Sequence, residues 1–259
     1  MRPTLDAGHR TPLLDFFRRG DVARDVRLLA AQGALAPRAH EQLGLLILLV
    51  DDPDPEIAAA AEQTLSIIPR SSLEAFLARS DVSTEMREFF AGRGVEPAAV
   101  AAEDATAPMI DTSEGPEISD DEDNEQSAQQ RLSAMSVPQR LARATKGTRE
   151  ERGILIRDSN KMVAVAVLSS PKLTESEVEG IARMANVSEE ILRIIAFTRN
   201  WMKSYAIVSA LTRNPKTPVA VSMNLISRLN DKDLRMLSTN RNVPDVLRIT
   251  ARKKIVIDR

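Results

Sequence analysis

The residues of this chain that can do chemistry are mostly cations. Arg-Asn pairs recur at Arg199-Asn200, Arg213-Asn214 and Arg241-Asn242, spaced by 14 and 28 residues. A guanidinium offers a planar fork of donors that grips a carboxylate or a phosphate with two parallel hydrogen bonds. The pairs have a structural use as well. Asn tolerates the left-handed conformation that closes a helix, and Arg in a last turn suits the negative end of the dipole. The stretch "RNWMKSY" holds the single Trp and single Tyr, Trp201 and Tyr205, on either side of Lys203. Trp, Tyr and Arg dominate binding hot spots, although a half-buried core pair accounts for the same spacing. With Lys216 beside the second pair, the partner-binding candidates are Arg199, Trp201, Lys203, Tyr205, Arg213, Lys216 and Arg241.

A second group of cations comprises Arg228, Lys232, Arg235 and Arg248, continued by the basic tail Arg252, Lys253 and Lys254. These are candidate polyanion contacts, with a solvated chain end as the plain alternative for the tail. Aromatic residues make up only 3% of the chain, so stacking of single-stranded bases is disfavoured. Nucleic-acid binding, the alternative to an acidic protein partner, would then run through the phosphate backbone and depend steeply on salt.

Enzymatic patterns are missing. His9 and His40 are the only histidines and stand in no metal-ligand spacing; cysteine is absent. Asp51, Asp52 and Asp54 crowd one turn, where solvation explains them. No nucleophile elbow, phosphate loop or dinucleotide fingerprint occurs. The expectation is a protein without catalysis, cofactor, metal or small-molecule substrate.

The charge is divided along the chain. Residues 1–130 carry 11 Arg, no Lys and 25 acidic residues; residues 131–259 carry 24 basic and 12 acidic ones. Residues 96–130 hold eleven acidic residues and no basic one, with apolar residues scattered among Ser, Thr, Pro and Gly. Such a stretch buries too little to offset its chain entropy, which predicts a disordered linker over 96–131. Domains are expected at 1–95, acidic and helical, and at 132–259, basic and helical. The linker reads either as a solubilising spacer or, through Met109, Ile110 and Ile118, as a docking segment that would lie on the basic domain. There it would compete with an acidic partner.

The elements read as short amphipathic helices. Ile191, Ile194, Ile195 and Thr198 keep helical period, and Val219, Met223, Ile226 and Leu229 nearly do. Thr148-x-x-Glu151 and Thr174-x-x-Glu177 are capping-box patterns. "MVAVAVL" at 162–168 alternates like a strand, but its place in the series predicts helix. "LGLLILLV" at 43–50 is far short of the ~18 apolar residues of a membrane span and predicts a buried helix. The first residues lack the apolar core of a signal peptide, and with no cysteine the expected location is cytoplasmic.

Asp158, Asn186, Asn214 and Asn242 are each 28 residues apart, in "RDSNKMV", "ANVSEEI", "RNPKTPV" and "RNVPDVL". Helices of about eleven residues with three-residue turns would give that beat. Residues 51–90 align with 213–250 after one single-residue gap, pairing Pro53 with Pro215, Leu73 with Leu234, and Val82-Ser83 with Val243-Pro244. Fixed-period self-similarity marks stacked helical repeats. These units resemble bacterial HEAT-like and leucine-rich-repeat-variant α-solenoids, over 148–254 and more loosely over 43–91. The chain departs from the iron–sulfur-bearing members in lacking a cysteine cluster. The resemblance implies an all-α, two-domain solenoid of about 28-residue repeats that acts as a binding scaffold or adaptor.

Overall fold

The computed structural model describes residues 11–20, 22–36, 38–101, 108–110 and 125–257, without the side chains of 125–127 and 257. His9, Ile118 and most of the expected linker (102–107 and 111–124) lie outside the described residues. Among the described residues every regular element is helical. In chain order these are α1 (Pro12–Arg19), α2 (Arg24–Ala31), α3 (Ala39–Leu49), α4 (Pro55–Ile67), α5 (Arg70–Leu77), α6 (Thr84–Ala91), α7 (Glu125–Ala134) and α8 (Val137–Lys146). They continue as α9 (Arg149–Leu155), α10 (Lys161–Leu168), α11 (Glu175–Arg183), α12 (Glu189–Phe197), α13 (Tyr205–Arg213), α14 (Val219–Ile226), α15 (Asp231–Thr239) and α16 (Asp245–Ile257). None of them is long and apolar enough to cross a membrane.

The chain forms two compact units: residues 1–155 with 160–171, and residues 156–159 with 172–259. This division does not follow the charge change at residue 131. Helices α8 to α10 belong to the first unit, where α8 packs on α2 and α10 packs on α1. Ser169, just after α10, donates its hydroxyl to Glu41 of α3 at 3.2 Å. The physical reason is that surface charge does not report the core. Leu141, Ala144, Leu155 and the run Met162–Leu168 are buried. That run is covered on every side, so α10 shows no stripe and its Val/Ala alternation carries no strand signal.

Within the first unit α3 is central and packs on α1, α2 and α4. Its Leu43, Leu45, Leu46 and Leu49 are buried. Gly44 permits this closeness, because a Cβ there would meet the Leu14 side chain at 3.1 Å. Three parts of the expected linker, 96–101, 108–110 and 125–131, are among the described residues. Helix α7 begins at Glu125, anchored by buried Ala128 and Leu132 one turn apart. Residues 108–110 lie against α3, as described below.

In the second unit α11 packs on α13, α13 on α14 and α15, α14 on α16, and α15 on α16. One turn is built three times. Helices α11, α13 and α15 end on extended residues Met184, Asn214 and Asn240, with ψ of 123°, 123° and 110°. Two turn residues follow, then buried Val187, Thr217 or Val243, then Ser188, Pro218 or Pro244 leading the next helix. The first unit repeats its close between α5 and α6, with Val82 buried and Ser83 capping Met86 N–H at 3.3 Å. That is the counterpart of Val243-Pro244 found by alignment.

The even 28-residue ruler is not the structural period. Equivalent positions Met184, Asn214 and Asn240 are 30 and then 26 residues apart. Most of the difference is the longer link from α12 to α13, which carries a 3-10 turn at Trp201–Lys203. Asn186 and Asn242 correspond to Lys216, not to Asn214. Nor is any of these caps left-handed; positive φ occurs at Gly20, Gly33 and Gly94. Both capping boxes form, at Thr148/Glu151 and Thr174/Glu177. The stripe of α14 is rotated from the expected one. Ser222, Leu225, Ile226 and Leu229 are buried, whereas Val219 is 40% exposed.

Candidate partner-binding surface

Helix α13 turns three polar residues, one per turn, toward α15. Tyr205, Ser209 and Arg213 fall at i, i+4 and i+8, and all three donate to the Asp233 carboxylate. The Tyr205 hydroxyl also accepts from the Asn230 N–H at 3.1 Å, while Asn230 Oδ1 accepts from the Asp233 N–H at 2.8 Å. Burial, together with the adjacent Asp233 carboxylate, holds the Tyr205 hydroxyl above its usual pKa. It therefore stays protonated and donates. Tyr205 and Arg213 are thus engaged within the fold, and neither is a free ligand-binding group.

Asn214 is buried and fully used. Its Nδ2 donates to Ala182 O at 2.8 Å and Met184 O at 2.9 Å, and its Oδ1 accepts from Lys216 N–H at 2.9 Å. The end of α13 is thereby tied to the end of α11. Asn240, the equivalent residue, closes only its own turn by accepting from Asn242 N–H at 3.0 Å.

The turns after α11, α13 and α15 meet around one depression of about 570 Å³. Arg183, Ser209, Arg213, Asn214 and Asn242 line it, together with small apolar residues. Arg183 is paired with Glu179 and Arg213 with Asp233, so its cations are already neutralised. The depression has no uncompensated charge with which to attract an anion. Among the described residues no group of three His, Cys, Asp or Glu stands close enough to hold a metal.

The remaining cations sort cleanly. Arg228 donates to Met202 O, Arg252 to Ser238 O at 3.1 Å, and Lys254 to Ser227 O at 2.8 Å. Arg248 pairs with Asp245. These four serve the fold: Arg252 and Lys254 satisfy carbonyls at the ends of α15 and α14. By contrast Arg199, Lys203, Lys216, Lys232, Arg235, Arg241 and Lys253 are exposed and have no partner among the described residues. The set read from sequence is therefore split. Arg199, Trp201 and Lys203 lie before α13, with Trp201 half-buried. Lys216 and Arg241 lie in turns at its other end, roughly 13 Å away for nine helical residues.

Two residues, Phe197 and Asp233, are not singled out by sequence. Phe197, the last residue of α12, is 76% exposed and two residues from Arg199. Its signal was positional, since it falls off the Ile191–Ile194–Ile195 stripe. Asp233, the hub of the network, was missed because a carboxylate in a first turn reads as a dipole partner.

No protein-family model, curated protein or solved structure matches the chain.

Proposed function

We propose that this protein is a non-enzymatic α-solenoid adaptor whose second unit docks an acidic protein partner. In this reading the pairs α11–α12, α13–α14 and α15–α16 stack as HEAT-like repeats and hold a preformed surface. The observation that carries it is the contrast in cation use. The second unit has 17 Lys and Arg against 10 Asp and Glu, and seven of its cations are exposed and without a partner among the described residues. In the first unit Arg18, Arg24, Arg27, Arg70, Arg79 and Arg93 have carboxylate partners, and Arg19, Arg131 and Arg149 are exposed without one among the described residues.

Magnitudes favour a protein over a polyanion chain. Each exposed charge pair contributes about 0–1 kcal/mol, so the cations mainly steer and select. Affinity then needs an apolar anchor. Phe197, with Val246 and Ile249 exposed on α16, is of the right type. In this reading the acidic segment before α7 is a spacer joining α6 to α7 within the first unit.

The test is crosslinked capture by the full-length chain in its own cell extract. The comparison is with Lys216→Glu/Arg241→Glu and Arg199→Glu/Lys203→Glu chains of unchanged melting behaviour. An acidic partner lost on reversal and on Phe197→Ala supports the reading; an interaction set that survives all three overturns it. Binding of a labelled duplex DNA that falls 10³-fold or more between 50 and 200 mM salt would replace it with phosphate tracking.

A further inference from the structure

Gln42 sits in the first turn of α3, 1% exposed, just before the apolar run 43–50. A buried primary amide carries two donors and an acceptor with two lone pairs, and leaving any of them unmet is costly. Here all are met by backbone. Nε2 donates to Gly33 O at 2.7 Å and to Ile110 O at 3.1 Å. Oε1 accepts from Met109 N–H at 2.8 Å and Ile110 N–H at 3.0 Å. Three of the four bonds therefore reach a segment nearly seventy residues away.

The segment is held as a peptide is held in a recognition cleft. The amide grips the N–H and the C=O of one residue, as a neighbouring strand would. The Ile110 side chain lies over Gly33, its Cδ1 3.6 Å from where a Cβ would be. Gly33 also has φ of +76°, and a Cβ there would meet Gln42 Nε2 at 3.3 Å and Thr64 Cγ2 at 3.4 Å. The floor of the site is thus open because this residue is glycine. Pro108 precedes the gripped pair and restricts the chain to an extended approach, which lowers the entropy of docking. This places Met109 and Ile110 against α3 of the first unit, not on the basic domain where the docking reading of the linker set them. The amide of Gln42 supplies a demand for backbone partners that net charge does not reveal.

We propose that Gln42, Gly33 and Thr64 form a peptide-binding site for an extended segment with a large aliphatic side chain. Residues 108–110 occupy it as a built-in ligand. The tether is short. Ala98 is fixed by its N–H to Glu74 O at 2.9 Å, leaving nine residues before Pro108. A tether of so few residues gives an effective concentration in the millimolar range. Against a free-peptide Kd of about 0.1 mM, the covalent segment would fill the site about 90% of the time. The site is then closed to outside peptides until the segment is displaced.

The experiment uses the full chain and a labelled peptide with the sequence of residues 105–114, followed by fluorescence anisotropy. The Ile110→Asp chain, whose own segment is disabled, is expected to bind the peptide about tenfold more tightly than wild type. A peptide N-methylated at the positions of Met109 and Ile110 keeps its side chains but loses both donors to Gln42. It is expected not to bind the Ile110→Asp chain. Equal binding of the peptide by both chains, no binding by either up to millimolar concentration, or undiminished binding of the N-methylated peptide would each overturn the proposal. The last control needs no further change in the protein, so a folding defect cannot imitate it.

Discussion

Arg213 of α13 pairs with Asp233 of α15, the carboxylate almost entirely buried and the guanidinium side chain 40% exposed. That asymmetry decides what removal does. Arg213→Ala strands a buried carboxylate, at a cost of about 1–3 kcal/mol once the exposure of the cation is discounted. Tyr205→Phe removes a donor to the same group and leaves Asn230 N–H without its acceptor, about 1 kcal/mol. In urea unfolding, the Arg213→Ala/Asp233→Asn chain should lose less than the sum of its single variants. Strict additivity would show that the pair does not couple the helices. Reversal of charge at Arg213 is accordingly a poor probe of binding, because it disturbs the fold first.

Asn214 and Asn240 occupy equivalent positions but do different work. Asn214→Ala removes three hydrogen bonds from a buried site, two of them to carbonyls at the end of α11. About 2–3 kcal/mol is expected. Asn240→Ala removes one partly exposed turn bond, and about 0.5 kcal/mol is expected. Thermal melts of the two chains check the order; equal shifts would refute the tie between the helix ends.

This pair also shows how far the sequence could be read. Helix periodicity and capping boxes are local, and Thr148/Glu151 and Thr174/Glu177 form as their spacing predicts. The repeated turn is legible through its buried residue, Val82 or Val243. The even spacing of Asn186, Asn214 and Asn242 misleads because an insertion at Trp201–Lys203 and a shorter following pair offset each other. Arg213 and Arg241 look alike as dipeptides, yet one ends a helix beside Asp233 and the other sits free in a turn. Pairing partners across helices, such as Asp233 or the segment held by Gln42, leave no periodic trace. They follow from which faces meet, and that is tertiary information.

Glu41 predicts a pH dependence. Burial pushes its carboxyl above the usual range, against the opposing effects of Arg38, Thr11 and Ser169. One carboxylate oxygen accepts from Ser169, and the other has no hydrogen-bond partner. A raised pKa means the folded state binds the proton more tightly than the unfolded chain. The favourable contribution is therefore full below the unfolded value of about 4.3, and it is lost as pH rises through the folded value. Glu41→Gln should be more stable than wild type at pH 8, with the gap closing toward pH 4.5. Urea midpoints across that range test it, and a gap that widens on acidification would contradict the sign.

Lys253 and Lys254 separate folding from binding within one dipeptide. Lys254 Nζ donates to Ser227 O at 2.8 Å and to Ile226 O at 3.4 Å, at the end of α14 where orphan carbonyls gather. Lys253 is exposed and has no partner among the described residues. Lys254→Ala should destabilise by about 0.5–1 kcal/mol, while Lys253→Ala should stay within about 0.5 kcal/mol of wild type. For capture of an acidic partner the order should reverse: Lys253→Glu weakens it, and Lys254→Ala leaves it unchanged wherever the chain remains folded. Parallel melts and capture assays on the two variants decide this. If Lys254→Ala lost the partner while Lys253→Glu kept it, the division between cations that hold the fold and cations that face outward would be wrong.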